Sequence, residues 1–274
     1  MAIVEGRLVT DRITFATRSA GEGELVLLLH GITAGAVVWD PVLEDLARDF
    51  RVVAVDQRGH GRSDKPDSGY GAEEYVADVG ALLDALGPAR AVVGHSLGTR
   101  NAILAGAAFP ERVGGVVAVD YAAGMDAEAL VGLRRARSPG GPLTSEDDVR
   151  RAIRTRSELL PVDAVERRLR HLYAVADGGF APLASPSAIG QTLEAMHVDL
   201  VPALRDSSVP VLLVRGGDSP FLSQAAHAFS LGLRAGLQGA VVPVTDHFVP
   251  EEAPAELAAR IRRFLRSEVE GYSS

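Results

Sequence analysis

Apolar residues in this chain gather into short, unbroken runs separated by longer mixed segments. The runs are LVLLLH (25–30), RVVAVD (51–56), RAVVGH (90–95), VGGVVAVD (113–120), VPVLLVR (209–215) and GAVVPV (239–244). Runs of this length without polar alternation suit strands covered on both faces, as in a parallel sheet. Between them the pattern becomes helical over roughly 40–48, 72–86, 97–108, 222–236 and 252–268. The alternation predicts an α/β fold: a mostly parallel central sheet flanked by helices. Residues 3–18 alternate weakly and predict an antiparallel hairpin at the sheet edge.

Residues 122–198 break this rhythm, and no buried strand is expected there. SEDDVRRAIRTRSELL (145–160) predicts a helix with Ser145 as N-cap and three acids in its first turn. VDAVERRLRHLYAVA (162–176) predicts a second amphipathic helix, set off by Pro161. The expected organisation is a core of residues 1–121 and 199–274 with a helical cap of 122–198 inserted into it. Sites in open α/β sheets lie at the carboxyl ends of the strands, where such a cap forms a roof.

Composition narrows the function. Of 274 residues, 47% are hydrophobic but only 5% aromatic, so the core must be aliphatic. A net charge of −8 lacks the basic footprint of a nucleic-acid binder. The absence of cysteine excludes disulfides, thiolate chemistry and Cys-ligated metals. The opening MAIVEGRLVTDR is interrupted by Glu5 and Arg7, and no stretch nears the roughly 18 apolar residues of a membrane span. The expectation is a soluble cytoplasmic protein with no membrane partner; oligomeric state is not legible. No His-rich ligand cluster, phosphate-cradling loop or dinucleotide fingerprint is present, so no metal or cofactor is expected.

The candidate chemistry centres on GHSLG, where Ser96 stands between Gly94 and Gly98 after one buried run and before a helix. A nucleophile on a tight strand-to-helix turn needs small neighbours, so that the backbone can pass without Cβ clashes. The same turn aims the N–H of Leu97 at the point where an oxyanion forms. Ile32, after His30-Gly31 in LLLHGIT, is the candidate for the second donor, with His30 in a structural role. Gly31, in this loop, is a candidate for contact with substrate. Of seven histidines, His247 lies just after the last core run, at the carboxyl edge of the sheet, and is the candidate general base. His95 and His60 are expected to pack or bond locally. Two carboxylates compete to orient the base: Asp120, at the end of VGGVVAVD, and Asp218 in LLVRGGDSPFLS.

The motifs HGIT, VDQRGHGRSDKP and GHSLG stand in the order and spacing of the α/β-hydrolase superfamily, which the chain resembles over nearly its whole length. The resemblance implies the order nucleophile, acid, histidine. In most members the acid lies three residues after the glycine that ends the penultimate core strand. Counting from Gly216 reaches Ser219, and Asp218 falls one residue early. A subset of the superfamily carries its acid at the end of the strand after the elbow helix, with serine in the usual acid slot. Asp120 and Ser219 match both halves of that pattern, so the resemblance implies Asp120, with Asp218 as the alternative acid.

Ten arginines fall between residues 134 and 170, against six acids. Planar guanidinium groups bind carboxylates through two-pronged contacts, so this local surplus points to a small anionic substrate. AVDQRGHGRSDKPDSGY, VGHSLGTRN, VVAVDY, ADGGFAPLAS, DLVPALRD and LLVRGGDS are similar to the (E)-2-(acetamidomethylene)succinate hydrolases of vitamin B6 breakdown. Those enzymes cleave an enamide C–N bond in a dicarboxylate, releasing acetate, ammonia, carbon dioxide and succinate semialdehyde. The resemblance implies Ser96, Asp120 and His247 as the catalytic set and Arg156 as a reader of substrate carboxylate. A second expected arginine falls on Ala136, flanked by Arg135 and Arg137; Arg135 is the candidate. The expected function is a serine hydrolase acting on a small carboxylate-bearing amide or enamide. The alternative is a carboxylesterase or C–C bond hydrolase, which an apolar pocket would favour. A ligand receptor that has lost turnover is the reading from another class, and the intact Ser96, His247 and acids weigh against it.

Overall fold

The computed structural model describes residues 2–124, 142–176 and 178–268. Its strands are β1 (Val4–Val9), β2 (Thr14–Ala20), β3 (Leu25–Leu29), β4 (Arg51–Val55), β5 (Ala89–His95), β6 (Val116–Val119), β7 (Tyr173–Ala176), β8 (Gly179–Pro182), β9 (Val211–Gly216) and β10 (Gln238–Val242). Eight of them form one sheet in the order β1-β2-β4-β3-β5-β6-β9-β10. The first hairpin and the β2–β4 pair are antiparallel; every other pairing in this sheet is parallel.

The unbroken apolar runs become strands because both faces are covered. Leu27, Leu29, Val53 and Val55 face one core cluster, whereas Val26, Leu28, Val52 and Ala54 face the other. Helices α2 (Ala72–Leu86) and α3 (Leu97–Ala108) cover the first face; α1 (Asp40–Leu46) and the last helix, residues 254–268, cover the second. Fully burying one such side chain contributes roughly 1.5–3 kcal/mol, so a charge on either face of a central strand would be costly.

Between β6 and β9 lie α4 (Glu146–Arg154), α5 (Val162–Leu172), the β7–β8 hairpin, α6 (Pro186–Glu194) and α7 (Val201–Asp206). Ser145 caps α4 in a reciprocal box: its hydroxyl accepts from the Asp148 amide, and the Asp148 carboxylate accepts from the Ser145 amide. Two expectations fail here. The helix expected over 145–160 stops at Arg154. The one expected over 162–176 stops at Leu172, where Tyr173–Ala176 turns into a strand paired with Gly179–Pro182. Gly178 and Gly179 adopt positive φ, which reverses the chain between these strands. The block thus holds a hairpin, but a partly exposed one, consistent with the expectation of no buried strand there. At the other end of the sheet, β10 ends at Val242 rather than 244, because Pro243 has no amide to donate and Val244 takes φ 56°. Helix α8 (Gln224–Leu231) lies between β9 and β10, and α9 (Val249–Glu252) and α10 (Pro254–Glu268) follow β10. No helix among the described residues is long and apolar enough to cross a membrane.

Candidate active site

The site begins at the junction of β5 and α3. Ser96 sits there at φ 53°, ψ −111°, a conformation that L side chains rarely adopt. Such strain costs of order 1–3 kcal/mol and persists only where its surroundings enforce it. Here they do. A Cβ on Gly94 would lie 2.1 Å from the carbonyl oxygen of Gly98, and one on Gly98 would lie 2.1 Å from that of Leu29. The Thr99 hydroxyl donates to the Gly94 carbonyl at 2.6 Å and accepts from the Val119 amide at 2.9 Å, tying the turn to β6. The Ser96 Oγ is buried without a hydrogen-bond partner among the described residues.

Strand β6 runs out at Asp120, which is wholly buried and also at positive φ. Its Oδ1 accepts from the Gly216 amide at 2.9 Å. Its Oδ2 accepts from the Ser219 hydroxyl at 2.5 Å and from His247 Nδ1 at 2.8 Å. A carboxylate can only accept, so Nδ1 carries the proton and Nε2 keeps its lone pair. The Ser219 hydroxyl accepts in turn from the Phe221 and Leu222 amides. Asp218 is exposed, and its backbone N–H donates to the Thr245 carbonyl. The carboxylate joined to His247 is therefore that of Asp120, not the alternative Asp218.

The loop carrying His247 is anchored from two sides. His95 Nε2 donates to the His247 carbonyl oxygen at 2.7 Å, and the two rings lie 4.7 Å apart. Burial, with His247 close by, holds His95 well below the usual imidazole range, so it stays neutral. His95 thus makes a long-range bond rather than the local one expected. On the other side, Glu252 accepts from the Asp246 amide at 2.7 Å and from the Ser157 hydroxyl at 2.9 Å.

Leu97 follows the serine in the chain, and Ile32 lines the same cavity as Ser96. Leu97 is the first residue of α3, so its N–H has no intrahelical acceptor. The loop of Ile32 is fixed by His30, whose Nδ1–H donates to the Gly31 carbonyl at 2.7 Å while its Nε2 accepts from the Gln57 amide at 3.0 Å. Burial pushes His30 down to about 4 and His60, packed edge-on 5.0 Å away, to about 3. Gly31 has to be small: a Cβ there would lie 3.0 Å from His95 Nδ1 and 3.2 Å from the Ser96 Cβ.

Ser96 and His247 open into a cavity of about 270 Å³. Ile32, Leu193, Phe221 and Phe248 supply apolar wall; Arg156 and Arg168 supply charge. The Arg156 guanidinium donates to the Thr33 hydroxyl and pairs with no carboxylate among the described residues. Arg168 is paired with Glu251 through Nε and Nη2, and stacks 4.9 Å from the centre of the Phe248 ring. Arg135 lies outside the described residues. Arg168 was not singled out from sequence, yet it had a signal: it shares the buried face of α5 with Ala164, Val165, Leu169 and Leu172. A charge in the apolar stripe of an amphipathic helix calls for a buried partner.

A family described as alpha/beta hydrolase fold matches residues 24–142. The 2-(acetamidomethylene)succinate hydrolase of Mesorhizobium japonicum is 42% identical over 265 residues, covering 96% of this chain and 95% of that protein. A crystal structure of E-2-(acetamidomethylene)succinate hydrolase superposes with a TM-score of 0.93 at 40% identity, over 97% of this chain and all of that one. The thioesterase domain from the curacin biosynthetic pathway shares the fold, with a TM-score of 0.80 at 21% identity over 96% of this chain and all of that one. The parallel sheet and the near-complete match to a hydrolase lead to one conclusion: the chain belongs to the α/β-hydrolase family and is a hydrolase.

Proposed function

We propose that the enzyme cleaves an amide or enamide C–N bond in a small carboxylate-bearing compound, through an acyl-enzyme on Ser96. The observation that carries this reading is the cavity itself: Ser96 and His247 share it with Arg156, a cation that has no carboxylate partner among the described residues. A largely buried guanidinium facing only a hydroxyl is under-compensated, and a substrate carboxylate completes it. The likeness to 2-(acetamidomethylene)succinate hydrolase supports a substrate of that kind.

The steps assign a role to each of these groups. His247 Nε2 takes the Ser96 proton as Oγ attacks the carbonyl carbon. Asp120 holds Nδ1–H and stabilises the imidazolium that forms. The oxyanion rests on the N–H groups of Ile32 and Leu97, each worth about 10²–10³ in rate. His247 then protonates the departing nitrogen, and water repeats the sequence to release the acid. Residues 122–198 act as the cap that brings Arg156 over the site and limits water.

Acetate release from 2-(acetamidomethylene)succinate and from short p-nitrophenyl esters tests this. Wild type should favour the dicarboxylate, and Ser96→Ala should lose turnover by about 10⁴-fold or more while keeping its melting temperature. Preference for neutral esters would favour the carboxylesterase reading. Full activity in Ser96→Ala would remove the acyl-enzyme.

A further inference from the structure

Arg168 is the less obvious of the two cations in the cavity. Its side chain is 4% exposed, and its Nε–Nη2 edge is spent on the equally buried Glu251. Phe248 lies against its face, fixing the plane of the guanidinium. Nη1 donates to no acceptor among the described residues, and Arg168 lines the cavity that holds Ser96. A guanidinium carries five N–H donors in a fixed fork, so the edge not spent on Glu251 keeps donors available to a ligand in that cavity. The Arg168–Glu251 pair is charge-neutral, so it adds direction rather than net charge. Arg156, within electrostatic reach of Arg168, supplies the uncompensated positive charge.

We infer that Arg168 is a specificity-determining residue of this site, donating from Nη1 to the substrate carboxylate that Arg156 attracts, and so selecting anionic substrates by geometry as well as charge. Glu251 and Phe248 hold the donor in place before substrate arrives. This rests on the anionic-substrate reading above.

Arg168→Lys is the informative variant. Lysine can keep the buried charge beside Glu251 but has no fork, so no second edge reaches the cavity. Two readouts decide: the ratio of kcat/KM for 4-acetoxybenzoate to that for 4-acetoxybenzamide, and the calorimetric Kd for succinate. A hydrogen bond to a charged group is worth about tenfold or more. The ratio should therefore fall at least about tenfold, and succinate should bind weaker by a similar factor. A merely structural Arg168 lowers turnover of both esters alike and leaves the ratio unchanged; an unchanged ratio with unchanged succinate affinity overturns the inference. Should Arg168→Lys not fold, Arg156→Met serves instead. Its remaining preference for the anionic ester should exceed unity, and a ratio of one overturns the role of Arg168. Succinate binding that depends on Arg168 in a wild-type protein hydrolysing neither ester would sink the hydrolytic reading and leave the anion site standing.

Discussion

His95 and His247 are 152 residues apart in sequence, yet the Nε2–H of the first bonds the carbonyl oxygen of the second at 2.7 Å. The residue before the strained serine thus holds the loop of the base in place. The contact is to the backbone of His247, leaving its ring free to face Asp120 and the cavity. His95→Ala removes the only side-chain donor to that carbonyl among the described residues and frees the loop. A misplacement of under 1 Å at a base is costly, so kcat should fall about tenfold or more while KM changes little. His95→Gln, whose amide can donate, should recover part of the loss. Stopped-flow or steady-state kinetics on the three proteins checks this, and equal kcat values would exclude a positioning role.

Asp120 and Ser219 come from the ends of two different strands to one point beside His247. The carboxylate comes from the end of β6, and the serine after β9 spends its proton on it at 2.5 Å. Asp120→Asn should drop kcat by about 10⁴-fold, because the amide favours the wrong imidazole tautomer. Ser219→Ala should cost about tenfold, since Asp120 keeps the Gly216 amide and His247. Asp218→Asn, on an exposed side chain, should stay within about twofold. A larger loss at Asp218 than at Asp120 would reassign the acid.

The close approach at the elbow makes a stability prediction. Gly98→Ala would place a methyl group 2.1 Å from the Leu29 carbonyl oxygen, an atom of a central strand that cannot move aside. The cost is several kcal/mol, on the scale of the largest single-substitution effects. Urea denaturation should show a midpoint shift of that size or no folded protein at all. A Gly98→Ala protein as stable as wild type would contradict the elbow geometry.

The parts of this molecule that could be read from sequence are those whose cause is local. LVLLLH and RAVVGH are apolar on both faces of a strand, and nothing but a covered sheet accommodates that. GHSLG carries its own reason, since Gly94 and Gly98 mark where backbone meets backbone. The β7–β8 hairpin was hidden because Tyr173–Ala176 continues the apolar stripe of α5, and the turn at Gly178 and Gly179 that pairs it with Gly179–Pro182 carries no periodic signal. Helices α6 and α7 were not singled out from sequence; Pro186 and Pro202 stand in their first turns, where proline suits a helix. The anchoring of the His247 loop by His95 and Glu252, and the Arg168–Glu251 pair, are contacts between segments far apart in the chain. Sequence pattern holds the residues but not the pairing.

Glu252 links the two halves of the site, and its ionisation should be visible in stability. Through Ser157 it holds the turn next to Arg156; through the Asp246 amide it holds the residue next to His247. Burial, with Asp246 beside it, pushes its pKa up to about 8 from an ordinary value of 4.5. Between those two pH values the folded protein binds more protons here than the unfolded chain does. The stabilisation from this group is therefore full below about pH 4.5 and is lost as pH rises through about 8. Glu252→Gln, neutral at every pH, removes that dependence. Melting temperatures taken from pH 5 to pH 9 should fall more steeply for wild type than for Glu252→Gln, with the gap closing in the variant's favour at alkaline pH. Parallel curves would mean that Glu252 is ionised in the folded protein throughout, and that the bond between the two loops is that of an ordinary carboxylate.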